Sequence, residues 1–155
     1  MFNFILKKNL EITAPCTGKV IDITQVQDPV FAGKTMGDGF AVEPDGDTLF
    51  APCDGTITFL PNTAHALVLE NNGVQLLLHI GLDTVDLHGE GFTALIKEGD
   101  IVKKGTPLIK FDRQFIQGKQ KSLTTILALC NQEEVVTKLE KNLSGTEPVL
   151  KITRK

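Results

Sequence analysis

The run from Thr63 to His79, Thr-Ala-His-Ala-Leu-Val-Leu-Glu-Asn-Asn-Gly-Val-Gln-Leu-Leu-Leu-His, reads as two strands joined by a tight turn. Asn71, Asn72 and Gly73 tolerate positive φ, as a three-residue hairpin loop closed by a left-handed glycine requires. That loop sets the register: with Glu70 opposite Val74, counting back along both strands brings His65 directly across from His79. Opposed residues share a face, with Cβ atoms roughly 4.5–5.5 Å apart, so two imidazoles converge. A two-residue loop would instead pair His79 with Ala66 and send the rings to opposite faces. In the three-residue register Leu67, Leu69 and Leu77 accompany the histidines, and Ala66, Val68, Leu76, Leu78 and Ile80 point the other way. Both faces are apolar, where an antiparallel sheet needs only one for its own core. The histidine face is therefore covered by another layer or offered to a partner.

A length of 155 residues fits one domain, and 14 glycines, seven prolines and nine phenylalanines without Trp or Tyr suggest short strands between many turns. The fold class expected is all-β, an antiparallel sandwich or barrel with one or two short helices. Ala14-Pro-Cys-Thr-Gly-Lys-Val20 returns as Ala51-Pro-Cys-Asp-Gly-Thr-Ile57, 37 residues on, and Val30-Phe-Ala-Gly-Lys-Thr35 is echoed by Val102-Lys-Lys-Gly-Thr-Pro107. Units that occur only twice favour pseudo-duplicated halves over a solenoid. Residues 1–11 read as a short N-terminal segment and 12–155 as the single domain. Near the C-terminus Ser122–Leu129 is a strand candidate. Asn131 with Glu134 has helix-capping spacing, Val135, Val136 and Leu139 give that helix an apolar face, and Pro148–Thr153 alternates as a strand.

A net charge of −3 offers no field for nucleic acid or an anionic membrane surface. Cys16, Cys53 and Cys130 lack metal-type spacing and read as reduced core residues. Without a leader-like N-terminus or a membrane-length apolar run, the chain reads as soluble and cytoplasmic. Gly37-Asp38-Gly39 lacks the lysine and helix of a phosphate-binding loop and reads as a structural turn, and His88 beside Gly89 reads as solvated.

Two convergent histidines have three chemical uses. Zinc hydrolysis would need a third ligand, with Asp83 completing His65 and His79, but Asp83 lies beyond a turn at Gly81. General acid-base work calls for a polar cleft, whereas leucines surround this pair. Transient phosphorylation fits better. A neutral imidazole nitrogen is nucleophilic near pH 7, a second ring can donate to phosphoryl oxygens, and apolar walls limit hydrolysis of the labile P–N bond. A regulatory binding module without turnover is the non-enzymatic alternative.

The motifs Ala51-Pro-x-Asp-Gly-Thr-Ile57, Thr63-x-His-Ala66, Leu78-His-Ile-Gly-Leu-Asp-Thr-Val85 and Gly89-Glu-Gly-Phe92 closely resemble the glucose-family enzyme IIA of the bacterial phosphoenolpyruvate-dependent sugar phosphotransferase system. The likeness runs from about Ile12 to the C-terminal strand. It implies the duplicated hybrid motif type of fold and a phosphocarrier in which His79 accepts phosphate on Nε2 from the phosphohistidine of HPr. The phosphoryl group then passes to a cysteine of enzyme IIB. The resemblance also implies that His65 stabilises the phosphoryl group, Thr63 orients His65 and the Gly81 carbonyl sets the His79 tautomer. Asp28 and Asp83 match acidic flanks, and Val30 and Phe31 an apolar docking rim, to which the histidine face adds Leu67 and Leu77. No cofactor is implied, although His65 and His79 could share a zinc ion with a regulatory partner, and membrane contact comes only through the permease. Pro61 and Leu77 replace rim phenylalanines of the enteric pattern, Ala64 replaces an asparagine, and the enteric N-terminal tail is reduced to a few residues.

Overall fold

Glycine- and proline-punctuated apolar runs fold here as short antiparallel strands, in a computed structural model that describes residues 9–155. The expectations for residues 1–8, including the absence of a leader, lie outside the described residues. In the first half come β1 (Asn9–Ile12), β2 (Gly18–Asp22), a 3-10 turn (Ile23–Gln25), α1 (Pro29–Ala32), β3 (Gly39–Pro44), β4 (Thr48–Phe50), β5 (Gly55–Phe59), β6 (Ala66–Asn71) and β7 (Val74–Ile80). In the second come a 3-10 turn (Thr84–Leu87), β8 (Phe92–Ala94), β9 (Ile101–Val102), β10 (Pro107–Phe111), α2 (Arg113–Gly118), β11 (Thr125–Leu129), α3 (Gln132–Val135), β12 (Val136–Lys141) and β13 (Leu150–Arg154). They build a seven-stranded sheet in the order β2-β3-β11-β7-β6-β5-β9 and two three-stranded sheets, β1-β13-β12 and β4-β10-β8. The all-β expectation holds, with three short helices among the described residues. β1 pairs with β13 from Asn9 onward, so this ladder crosses the expected boundary between residues 11 and 12.

The seven-stranded sheet has two apolar faces and both are used. Phe40, Val42, Leu67, Leu69, Leu76, Leu78, Ile80, Leu127 and Leu129 turn inward into the main core, against Ile12, Leu49, Leu108, Ile109, Leu150 and Ile152. The outer face presents the smaller Ala41, Ala66 and Ala128 with Leu77 and Ile126, and Ile23, Val26, Phe31 and Leu82 lie over them. Alanines on this face let the segment between β2 and β3 approach closely. The central β11 is buried along its whole length because both of its faces are covered.

The first repeat is structural. Thr13 N–H donates to the Pro52 carbonyl (3.0 Å) and Phe50 N–H to the Pro15 carbonyl (2.6 Å). Thr13 corresponds to Phe50 and Pro15 to Pro52 under the 37-residue offset, so the two copies exchange equivalent hydrogen bonds about a local pseudo-two-fold axis. The second echo is not structural. Val30–Thr35 runs through α1 into a turn, whereas Val102–Pro107 connects β9 to β10.

The hairpin register differs from the expected one. Asn72 (φ 43°) and Gly73 (φ 91°) both take positive φ, the requirement of a two-residue type I′ turn whose twist matches its strands. The ladder therefore pairs Asn71 with Val74 and Ala66 with His79. Leu67 and Leu69 consequently belong to the inner face, and Leu67, 0% exposed, is a core residue and not a docking residue. Ala66 and Val68, expected on the opposite face, stand beside His79 and Leu77 instead.

Other expectations need smaller corrections. Cys16 and Cys53 are buried, but Cys130 is exposed at the end of β11. Asn131 does not cap α3 with its side chain, which instead accepts from Gln75 N–H (3.0 Å) and donates to the Gly73 carbonyl (2.8 Å), fastening the hairpin loop. The helix ends at Val135, and Val136 and Leu139 lie in β12, where pairing with β13 overrides the helical spacing. The helices α1 and α2, too short to show a periodicity, start at Asp28 and Asp112, whose carboxylates accept from Val30 N–H and Phe115 N–H.

The corrected register gives a direct test. Leu67→Ala should lose about 2–5 kcal/mol of stability in urea unfolding, the cost of a core cavity. Val30→Ala, on the surface, should change it by no more than about 0.5 kcal/mol.

Candidate functional site

The two histidines meet despite the one-residue shift. Their ring centroids are 5.1 Å apart in an edge-to-face arrangement, with an interplanar angle of 88°. The β6 ladder ends at Ala66, and His65 sits in a bend just after Ala64, which has left-handed backbone (φ 53°). Strand alternation therefore no longer dictates where the His65 side chain points. Its carbonyl still accepts from Ile80 N–H (2.8 Å), which fixes the bend beside the end of β7. The expectation that a two-residue loop would separate the imidazoles fails because it extended the strand one residue too far.

His79 is held by the turn that follows it. Its Nδ1 lies 2.8 Å from the Gly81 carbonyl oxygen. A carbonyl can only accept, so Nδ1 carries the hydrogen and Nε2 keeps a free lone pair. Gly81 has φ +78°, and a Cβ there would come within 2.5 Å of Thr84 Cγ2 and 2.6 Å of the Ser122 carbonyl, so the turn requires glycine. The fully buried Thr84 donates its hydroxyl hydrogen to the Ile80 carbonyl, and Gly81 N–H donates to the Thr124 carbonyl (3.0 Å), closing the turn on both sides.

Thr63 Oγ1 lies 2.6 Å from Nδ1 of His65. Phe31 packs its ring on His79 with centroids 5.0 Å apart and planes tilted by 57°. Phe31 is buried as part of the outer cover, while Val30 beside it on α1 is 47% exposed. Leu77 is at the limit of burial, at 9%, on the histidine side of β7. Asp28 caps α1 through Val30 N–H (2.9 Å), and Asp83 is exposed with left-handed backbone before the second 3-10 turn. His88 is exposed at the far end of that turn.

Two apolar residues near the site escaped the sequence reading. Phe59, 52% exposed, pairs with Val68 across a β-bulge and so stands on the outer face, in the row that continues through Val68 to Leu77. Alternation from the buried Ile57 would have put it inside, and only the bulge reverses that. Val85, 50% exposed, sits in the turn after Asp83; an apolar residue in a glycine-punctuated turn was the available signal.

Burial dominates the electrostatics. Desolvation pushes the His79 pKa down, the neighbouring His65 adds to this, and the Gly81 hydrogen bond, Asp28 and Asp83 oppose it, leaving about 4. His65 is lowered too, by burial. Both rings are therefore held toward the neutral form, and Nε2 of His79 is a neutral nucleophile. The set of His65, His79 and Asp83 expected of a zinc hydrolase does not assemble: among the described residues no group of three or more His, Cys, Asp or Glu side chains is placed to hold a metal ion. No helix among them is long and apolar enough to cross a membrane.

A family model described as phosphoenolpyruvate-dependent sugar phosphotransferase system, EIIA 1, matches residues 10–135. The PTS system glucose-specific EIIA component of Oceanobacillus iheyensis is 44% identical over 141 residues, covering 90% of this chain and 84% of that relative. The PTS system glucose-specific EIIBCA component of Corynebacterium glutamicum is 40% identical over 147 residues, covering 92% of this chain and 22% of that longer protein. Among solved structures, glucose permease IIA from Mycoplasma capricolum superposes with a TM-score of 0.79 at 31% identity, covering 95% of this chain and 92% of that one.

The depressed pKa sets a pH dependence. A histidine with pKa about 4 when folded and about 6.5 when unfolded binds its proton more readily in the unfolded chain between these values, so it lowers stability as pH falls from about 6.5 toward 4. NMR titration of His79 should give a midpoint near 4, and His79→Gln should flatten the part of the stability slope that this ring causes in urea unfolding across that window.

Proposed function

The chain belongs to the EIIA 1 family of the phosphoenolpyruvate-dependent sugar phosphotransferase system, phosphocarriers of sugar uptake, and on that premise we propose that Nε2 of His79 is its phosphoryl acceptor. The observation that supports this best is the commitment of Nδ1 to the Gly81 carbonyl at 2.8 Å, which leaves Nε2 bare beside a second imidazole.

The phosphoryl group comes from the phosphohistidine of HPr. The Nε2 lone pair attacks phosphorus as the donor's P–N bond breaks, and that electron pair returns to the donor imidazole. The His79 ring gains positive charge, which the hydrogen bond from Nδ1–H to Gly81 helps to bear. With the Thr63 hydroxyl as donor in its 2.6 Å contact with Nδ1 of His65, Nε2–H of His65 is free to donate to the phosphoryl oxygens, where charge develops in transfer. In the onward step a cysteine thiolate of enzyme IIB attacks phosphorus, and the electron pair of the P–Nε2 bond goes back to His79. The fusion of an EIIA region with EIIBC in the Corynebacterium glutamicum relative supports this acceptor. Relatives named glucose-specific make a glucose permease the first acceptor to try. With HPr as donor and an enzyme IIB domain as acceptor, the proposed reaction is a cytoplasmic one.

Val30, Leu77, Val85 and Phe59 form the apolar rim on which donor and acceptor dock in turn, over Phe31. Asp28 and Asp83 flank it with negative charge that favours cationic side chains on the docking protein. No metal is needed for either step.

Mixing the protein with phosphoenolpyruvate, enzyme I and HPr should give one phosphohistidine signal in phosphorus NMR, and His79→Gln should remove it. His65→Gln should still accept the label but slow its passage to enzyme IIB by about 10²-fold, the usual cost of losing one transition-state donor. Labelling of the His79→Gln variant would overturn the assignment.

A further inference from the structure

The segment that carries Asp28, Val30 and Phe31 lies outside the β2–β3 ladder, whose last pair is Asp22 with Phe40. Ile23, Val26 and Phe31 seat its inner side on the sheet, but apolar contact is non-directional and does not fix the angle at which it lies. Directional contacts hold its two stems, among them Leu129 N–H on the Asp38 carbonyl (2.9 Å), and one side chain reaches both stems at once. Lys141, the last residue of β12 in a different sheet, places Nζ 2.7 Å from Asp22 Oδ1 and 2.6 Å from Asp38 Oδ1. The three side chains are 20%, 24% and 17% exposed for Lys141, Asp22 and Asp38, sheltered enough for the charges to be felt.

Each carboxylate also binds its own stem. Asp22 Oδ2 accepts from Thr24 N–H (3.2 Å) and from the Thr24 hydroxyl (2.6 Å), and Gln25 accepts from Asp22 N–H (3.2 Å). Asp38 Oδ1 accepts from Gly39 N–H (2.8 Å), and its amide donates to Gln132 Oε1 (2.7 Å). Lys34 reaches Asp38 Oδ2 at 3.6 Å from a half-exposed position, where water screens it. Two carboxylates at the ends of one loop repel, and the ammonium between them converts that repulsion into closure. Burial pushes the Asp22 carboxyl up, but the hydrogen bonds from Lys141 and Thr24 and the Lys141 charge outweigh it and bring it down to about 2. Burial likewise works against the Lys141 ammonium, and Asp22 and Asp38 more than reverse it. An acid held this low and an amine held this high both stay charged throughout the neutral range.

We infer that Lys141 is a positioning residue for phosphoryl transfer: by tying Asp22 to Asp38 it sets where Phe31 lies on His79 and how Val30 is presented to the docking proteins. The route is physical at every step. Lys141 fixes the stems, the stems fix α1, and α1 carries the ring that lies 5.0 Å from the acceptor imidazole and contributes to its burial. This inference rests on the phosphocarrier reading for its consequence in transfer, but not for the tether itself.

The test uses Lys141→Met, and the same change combined with Asp22→Asn and Asp38→Asn so that no unpaired carboxylate remains. In both, amide exchange over residues 24–37 should quicken about tenfold relative to the β7 and β11 amides, which also report that the variant is folded. The His79 titration should move up from about 4 toward an ordinary histidine value, and KM for phospho-HPr should rise about tenfold with kcat within about twofold, the mark of lost docking. Asp22→Asn alone, which loosens one stem, should move the same readings less. An unchanged His79 midpoint and KM in both main variants, or a change only in the one with stray carboxylates, would overturn the inference. Exchange and titration need no phosphoryl donor, so they judge the tether even if wild-type protein accepts no phosphate and the carrier reading falls.

Discussion

A sheet that is apolar on both faces must be covered on both, and the site lies where the second cover stops. The inner face of the seven-stranded sheet is closed by the two smaller sheets. Among the described residues, the outer face is closed by the segment between β2 and β3 and by Leu82, which reach Ala41, Ala66, Leu77, Ile126 and Ala128. His79 stands in the row Ala66–His79–Ile126–Ala41 on that face, at the margin of the cover. One side of the imidazole is pressed against Phe31 while the ring remains partly open. A residue deeper in the row would be inaccessible to a docking protein, and one farther out would be solvated and protonated nearer neutrality.

Position alone does not choose the reactive nitrogen; the turn after β7 does. A left-handed Gly81 brings its carbonyl back to Nδ1, and the Thr84 hydroxyl and the Thr124 carbonyl hold that reversal in place. The tautomer is thus written in the backbone of three residues following the histidine. The same turn leaves Asp83 and Val85 outside, so one local conformation orients the imidazole and exposes an acid and an apolar side chain beside it.

Much of this was legible in the chain. The alternation of residues 66–80, the turn residues and the 37-residue repeat indicated strands, a hairpin and a pseudo-two-fold fold, because each depends on near neighbours in sequence. The hairpin register was missed by one residue. Asn-Asn-Gly suits both a two- and a three-residue loop, and the choice between them was made by Asn71 continuing the ladder to Val74 and by Asn131, 58 residues from Gly73, fastening the loop. Leu67 was misplaced for that reason, and the two imidazoles converge without the expected pairing, through an unseen bend at His65 after the left-handed Ala64. Phe59 was hidden by a bulge, and the Lys141 tether joins residues 119 and 103 positions apart, a separation that no local pattern records.

The electrostatics of the pair follow from a competition that burial wins. Asp28 and Asp83 both favour a protonated His79, as does the hydrogen bond to Gly81, yet desolvation with the help of His65 carries the ring down to about 4. Were the acids dominant, Nε2 would hold a proton at neutral pH and could not play the acceptor part proposed for it. On the proposed reading, the uncharged ring depends on the cover that carries Phe31 staying closed, while the two carboxylates stand at its edge, where a docking protein would meet them.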